Sequence, residues 1–413
     1  MLATVVLLAI GMVSTTWWGA HLVGKDAWQL PHDLWGTLVA ARRLLHLDLS
    51  GLYTPPTSLV APPGAALILV PVVAVIDAAG LGLGVPGALN THPGAWLFAG
   101  PYEIALCAVA LFAADSVAER LGVDRSKRAM LTAAQAVALW SVSVRWGHPE
   151  DAVAVTLLLF AILALSDSRA ARSAWLIGAA IAVQPLVLLA LPVVLVVLEP
   201  RRLAGFLTRA AIPGALLLGA AASANWHATV KAVTSQPNWP AADHTTPWTA
   251  LAPHLSSGAV AAGPARALAI LVVCGCALLA GRRWRLTRQL AEWSPAALQE
   301  LLWWVAVALA LRCVLEPVMV AYYVWPVLAV ALVTASGSWP RLAATSVAAS
   351  TLTFVSQASW SGPWIWWGSV VTGLGLTLFF AAPDAARALP SPCLSRPGAR
   401  HSTASTPRGL TGP

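Results

Sequence analysis

AWLIGAAIAVQPLVLLALPVVLVVL, residues 174–198, is long enough to cross a bilayer, yet its flanks forbid a single crossing. A helix of ~20 apolar residues spans the hydrocarbon, and loops rich in Lys and Arg stay on the cytoplasmic side. This run lies between SRAAR (168–172) and PRRLAGFLTR (200–209), so both of its ends belong on that side. Gln184-Pro185 stands at its middle. Proline removes a helix hydrogen bond and turns the preceding residue away from helical backbone. A broken hairpin, in by 174–184 and back by 185–198, satisfies the charge rule and the proline together.

The rest of the chain is similarly apolar. Of its 413 residues 58% are hydrophobic and only 10% charged. Runs at about 2–20, 64–79, 96–115, 129–145, 151–166, 174–198, 210–227, 264–281, 298–315, 317–336, 341–358 and 362–381 predict an all-α polytopic integral membrane protein. About 11–13 membrane segments follow. Many of the 21 Trp residues sit near the ends of runs, at Trp17, Trp18, Trp226, Trp303, Trp304, Trp364 and Trp367 among others. Amphipathic rings settle there, at headgroup depth. The first run lacks a basic leader and reads as a retained helix. Residues 1–383 form one integral membrane domain. Residues 384–413, rich in Pro, Ser, Thr and Gly, read as a disordered cytoplasmic tail.

The net charge of +8 lies in short inter-helix loops, which argues against a nucleic-acid partner. Of the five Cys, four fall in apolar runs with no ligand pair beside them, so no metal site is expected from them. With ERLGVDRSKR (119–128) and GRRWRLTR (281–288) also cytoplasmic, two apolar runs between 62 and 118 must make an odd number of crossings. The shorter, 64–79, then only dips into the membrane. Four stretches face outward: 21–62, the hinge 145–151, 228–262 and Trp360-Ser361-Gly362-Pro363.

The polar chemistry gathers in these outer stretches. In KDAWQLPHDLWGTLVAARRLLHLDLSGLYTPP (25–56), Leu34, Leu38, Ala41 and Leu45 share one helical face, with Arg42, Arg43 and His46 on the flank. An amphipathic helix lying on the membrane surface is expected in this first outer loop. Asp33 opens it, either as an N-cap or as a reactive carboxylate. RWGHPEDAV (145–153) places Arg145, His148, Glu150 and Asp151 in seven positions. Pro and acidic residues suit a helix start, but ionisable groups this near hydrocarbon are also functional candidates. RCVLEPVMVAYYVWP (312–326) carries Arg312, Tyr322 and Tyr323. There Arg312 pairs locally with Glu316 and the tyrosines anchor at the interface, or all three meet a ligand. In 228–262, Trp239 and His244, with Lys231, Asp243, Trp248 and His254, interleave rings with hydrogen-bonding groups as sugar sites do, although a plain loop has the same look.

Asp33, Ala40-Ala41, Gly51-Leu52-Tyr53 and Pro62-Pro63-Gly64 before an apolar run resemble the opening of polytopic GT-C glycosyltransferases. The nearest likeness is to the actinobacterial polyprenyl-phosphate-mannose-dependent mannosyltransferases. Gly147-His148-Pro149-Glu150-Asp151 and, after an Arg-bearing loop, GAAIAVQPLVLLALP (178–192) resemble a second stretch of that family. Roughly half the chain is covered, through degenerate motifs. One departure is Gln184, where the family commonly has lysine before the proline.

The resemblance implies a GT-C-like fold and a sugar donor on a polyprenyl phosphate, with mannose favoured. The acceptor would be a lipid or glycan hydroxyl at the outer face of the cell membrane. Asp33 would be the base, with Arg145, His148 and Arg312 on the phosphate. Tyr322, Tyr323, Trp239 and His244 would line the substrate. Glu150 and Asp151 would orient the cations, or bind a divalent metal if one is used. No other cofactor is implied, and no G-x-x-x-x-G-K-[ST] loop is present to hold a nucleotide. A secondary transporter and an inactive membrane scaffold remain the other classes. A transporter would show repeated halves around a midplane site.

Overall fold

In a bilayer, backbone that leaves the helix must find its hydrogen bonds inside the protein, so every interruption of these apolar runs is informative. The computed structural model describes residues 32–55, 59–83, 94–240, 243–255, 258–287, 293–357 and 362–383. The expected first segment, 2–20, and the expected tail, 384–413, lie outside them.

The described chain begins with α1 (His32–Leu45) and two short helices, α2 (Pro63–Leu67) and α3 (Val70–Ala78). Next come α4 (Trp96–Arg120) and α5 (Arg125–Trp140), which runs on into a π-helical turn, Ser141–Trp146. α6 (Pro149–Ser166), α7 (Ala170–Val183), a 3₁₀ turn (Pro185–Leu189) and α8 (Leu191–Leu195) follow. After α9 (Pro200–Ala224), α10 (Trp226–Ser235) and a long loop come α11 (Gly263–Thr287) and α12 (Pro295–Leu315). A 3₁₀ turn (Ala321–Val324) leads into α13 (Trp325–Ala335), α14 (Trp339–Val355) and α15 (Pro363–Ala381).

Six of these helices are long and apolar enough to cross a membrane: α4, α6, α9, α11, α12 and α15. Ala170–Val183 and Ala321–Ala335 are apolar but shorter. The protein is an all-α, multi-pass membrane protein. Its one described sheet is two residues long, His244–Thr245 antiparallel to Val318–Met319.

The break at Gln184-Pro185 is present. α7 ends at Val183, and Gln184 is extended (φ −146°, ψ 114°) before the 3₁₀ turn. Gln184 donates from Nε2 to Asp151 Oδ1 at 2.7 Å, which places it beside the start of α6. Val196 lies instead against Gly281, where a Cβ would come within 3.2 Å of its own. Gly281 is 15 residues along α11 from Arg266, which lines the same groove as Gln184. At 1.5 Å per residue that is about 22 Å. The segment therefore goes in and comes back, leaving Ala170 and Val196 at one end of the bundle and Gln184 at the other. The Ala170 end also collects the cations Arg120, Arg128, Arg201, Arg283 and Arg341, paired with Asp167, Asp115, Glu199 and Glu300 among others. It is the basic end, opposite the site.

The run 64–79 makes no crossing helix. It divides into α2 and α3, of five and nine residues, each too short to span. Both are tied to the site end: a Cβ on Gly64 would sit 2.2 Å from the Ala182 carbonyl, and Tyr102 donates to the Ile68 carbonyl at 2.8 Å.

α1 lies over this pair as the expected amphipathic helix, burying Leu34, Leu38, Ala40 and Ala41. Its cationic flank is already engaged. Arg42 and His46 pair with Asp77, and Arg43 with Asp48. At the centre of the main core, every residue of α13 is buried. A helix apolar on all sides belongs in such a position.

Close approach of α7 to α9 depends on Gly178, whose added Cβ would meet the Ala210 carbonyl at 2.5 Å and Pro213 Cδ at 2.9 Å. Gly178→Val should destabilise the protein by about 1–3 kcal/mol through overpacking. Gly275→Val, with nothing within 4 Å, should leave it unchanged. Thermal unfolding in detergent measures both. Equal midpoints for the two variants would remove the glycine contact from the account of the hairpin.

Candidate functional site

The site is built around the turn between α5 and α6. The π turn Ser141–Trp146 adds a residue per helical turn, and such insertions recur at functional sites. Gln357, just past α14, clamps both of its ends, donating to Ser141 Oγ at 2.6 Å and accepting from Trp146 Nε1 at 3.1 Å. Gly147 then takes left-handed backbone (φ 68°, ψ 51°), a position that favours glycine. The His148 amide returns to the Val142 carbonyl at 2.9 Å, and Pro149 starts α6. The helix-start reading of His-Pro-Glu-Asp is thus correct for the backbone.

The side chains do more than cap. His148 Nε2 meets Asp33 Oδ2 at 3.1 Å, and Nδ1 meets Glu150 Oε1 at 2.6 Å. Both imidazole nitrogens are thus engaged by carboxylates. Burial alone would lower the His148 pKa, but Glu150 and Asp33 overcome this and hold it well above the ordinary histidine value. The ring also stacks on Tyr322, with centroids 3.9 Å apart.

Asp33 is not the N-cap of α1. His32 is already helical, and the Asp33 carboxylate turns to His148 with its side chain 48% exposed. Glu150, only 4% exposed, backs the imidazolium from inside. The expected grouping of Asp33 with the hinge is present, across 115 residues of sequence.

Behind this chain lie more carboxylates. Asp151 is buried and accepts from Gln184, and Glu103 of α4 is buried near Glu150 and His148. Among the described residues, Glu103 Oε1, Glu150 Oε2 and Asp151 Oδ2 have no hydrogen-bond partner. Half-satisfied buried carboxylates weaken a fold, so their clustering makes this the candidate site. Glu103 was missed in the sequence reading. A lone acid in WLFAGPYEIALCAV was the signal for it.

Arg312 lies one helix away. Its guanidinium stacks on Tyr323 at 3.8 Å and stands 3.9 Å from Glu316, so the local ion pair and the aromatic contact coexist. Tyr322 packs edge-on to Tyr323, placing both tyrosines in the site wall. Glu316 is also held by Arg266 of α11, which donates to Gln236 as well. Neither Arg266 nor Gln236 was singled out by sequence. A cavity of about 410 Å³ opens beneath them, with Gln184, Arg266, Arg312 and Glu316 at one end and Leu189, Ile270 and Val273 along its walls.

The loop of residues 243–251 roofs the site. His244 pairs with Met319 in the short sheet and stacks on Trp366, centroids 4.0 Å apart. Thr246 donates to the Glu316 carbonyl at 2.7 Å, and Trp248 to that of Val314 at 2.8 Å. Asp243 is held near Asp33 and His148. Burial pushes its carboxyl up to about 6; the Asp33 charge adds to this and His148 opposes it. His244 is thus a structural anchor here, and Trp239 stays exposed with its carbonyl on the Asp243 amide. Arg145 is exposed and meets the Trp146 ring at 5.7 Å, apart from the His148 chain.

No family model matches this chain, and no curated protein matches it either. Among the described residues, no group of three or more His, Cys, Asp and Glu is arranged to hold a metal ion.

The Asp243 shift sets a sign for stability. Its folded pKa of about 6 exceeds the ordinary 3.8, so its ionised form is the disfavoured one in the fold. The resulting cost is absent below 3.8 and complete above about 6. Asp243→Asn should therefore raise the unfolding temperature at about pH 8 and leave it unchanged near pH 3.5. A variant no more stable at the higher pH would contradict this placement of Asp243.

Proposed function

We propose that the protein is a membrane glycosyltransferase, moving a sugar from a polyprenyl-phosphate donor to an acceptor hydroxyl, with mannose the favoured sugar. The observation that carries this reading is the half-exposed Asp33 carboxylate, oriented by a charged His148 with buried Glu150 behind it. An apolar groove with Arg312 at its head lies on the far side of Asp151 and Gln184. A base and a lipid-shaped cavity ending in a cation are what such a transfer needs.

Asp33 takes the proton of the acceptor hydroxyl as its oxygen bonds to the anomeric carbon. The bond from that carbon to the phosphate oxygen breaks on the opposite face, inverting the configuration. The electron pair leaves with the polyprenyl phosphate, whose added charge Arg312 offsets. His148, with both ring nitrogens engaged, orients Asp33; Arg145 is left to the outer rim. Proton transfer by a positioned group contributes about 10²–10⁴ in rate. The positive-inside rule places the basic end in the cytoplasm and the site outside. The acceptor is a lipid or glycan at that face of the cell membrane.

Buried Glu103, Glu150 and Asp151 also suit a proton-coupled transporter. Sugar transfer in membranes separates the two. Asp33→Asn should lose about 10²–10⁴ in transfer rate from a polyprenyl-phosphate mannose donor at unchanged protein level. Full activity in that variant would remove the base, and no transfer by the native protein would overturn the reading. Thiol labelling of Asp243→Cys from the outer side should succeed; labelling only from the cytoplasm would reverse the orientation.

A further inference from the structure

We propose that Arg266 seats the phosphate of an isoprenoid monophosphate at the head of the groove beside Gln184, supplying from α11 the cation that position 184 lacks. The identity of the ligand's chain rests on the glycosyltransferase reading; the anion seat rests on the groove itself. That groove runs between the Pro185–Leu189 turn and α11, and its polar groups all stand at the site end. An apolar channel with charge at one end only fits an amphiphile with a single ionic head.

The charges there determine its sign. Arg266 and Arg312 face one carboxylate, that of Glu316, which is 2% exposed. The groove lining itself carries two guanidinium groups and one carboxylate, and Asp151, just outside the lining, also acts on Arg312, which leaves Arg266 as the less engaged cation. Gln184 is neutral, and its amide is already given to Asp151. Arg266 is the more accessible cation, with its side chain 31% exposed against 18% for Arg312. It engages Gln236 and Glu316, which are two partners for the five N–H donors of a guanidinium. A planar fork with donors to spare holds a phosphate oxygen pair well. Glu316 keeps Arg266 aimed at the groove mouth, and an arriving phosphate joins it there.

Arg209, exposed on α9 and outside this groove, is the control. The probes are farnesyl phosphate, farnesol and inorganic phosphate, each titrated into the purified full chain in detergent and followed by tryptophan fluorescence and calorimetry. Farnesyl phosphate should bind saturably, with the alcohol and inorganic phosphate each at least about tenfold weaker. Arg266→Gln should weaken farnesyl phosphate by about tenfold or more, Arg266→Lys by less, and Arg209→Gln not at all. Gln184→Lys should restore binding to Arg266→Gln, since it returns a cation to the same groove.

Removing Arg266 alone leaves Glu316 buried without it. The double variant Arg266→Gln, Glu316→Gln removes both charges and serves if the single one fails to fold. Unchanged binding in Arg266→Gln or in the double variant would overturn the proposal. Equal affinity for inorganic phosphate and farnesyl phosphate would overturn the lipid part. Arg266-dependent binding without any sugar transfer would sustain the seat while the enzyme reading fails. Transfer with Arg266-independent binding would do the reverse.

Discussion

Hydrocarbon offers no partner to a free amide or carbonyl, so a chain that stops being helical inside a membrane must do so against protein. The turn at Gln184-Pro185 meets this condition and organises what surrounds it. Gln184 is extended there and its side chain is fixed to Asp151, which ties the apex of the hairpin to the first turn of α6. Because the hairpin returns, it leaves a groove against α11 that a straight helix would have filled. The same turn therefore returns both ends of the hairpin to the basic end, lines an apolar cavity and sets polar residues at its head.

Charge balance is the second organising constraint. Asp33, Glu150, Asp151, Glu103 and Glu316 gather at one end of the bundle with His148, Arg266 and Arg312. The charges are shared: the His148 ring between two carboxylates, and the Glu316 carboxylate between two arginines. Buried pairs contribute little net stability, because desolvation of both partners offsets their attraction. What they provide is geometry. A charged imidazole between two carboxylates fixes the Asp33 oxygen in place, and its face against Tyr322 limits how the ring can turn. The large apolar core, with α13 buried on every side, supports this arrangement.

The separation of a basic end from a site end also gives the molecule a direction. Arginines at the basic end are paired near the helix termini, where long side chains reach water. The polar groups of the site end lie deeper and among themselves. Loop residues 243–251 close over them through the strand pair with Val318–Met319 and the hydroxyl bonds of Thr246.

By itself, the sequence determined what depends on local rules. Apolar length, basic loops and one proline were enough for a helical membrane protein with a hairpin at 174–198, because insertion responds to hydrophobicity and charge along the chain. Amphipathic spacing was enough for α1, and Pro149 with two acids for the start of α6. Asp33 and the hinge stood out as ionisable groups beside hydrocarbon. Only the tertiary structure decided their partners. Asp33 meets His148 across 115 residues, and Arg266 reaches Glu316 across 50. Glu103 joins the site from α4 and Gln236 from the residue that follows α10, while Arg145, itself within the hinge, turns to the Trp146 ring. The reason is that spacing along a helix states which face a residue takes, whereas the neighbour on that face is set by how the helices pack.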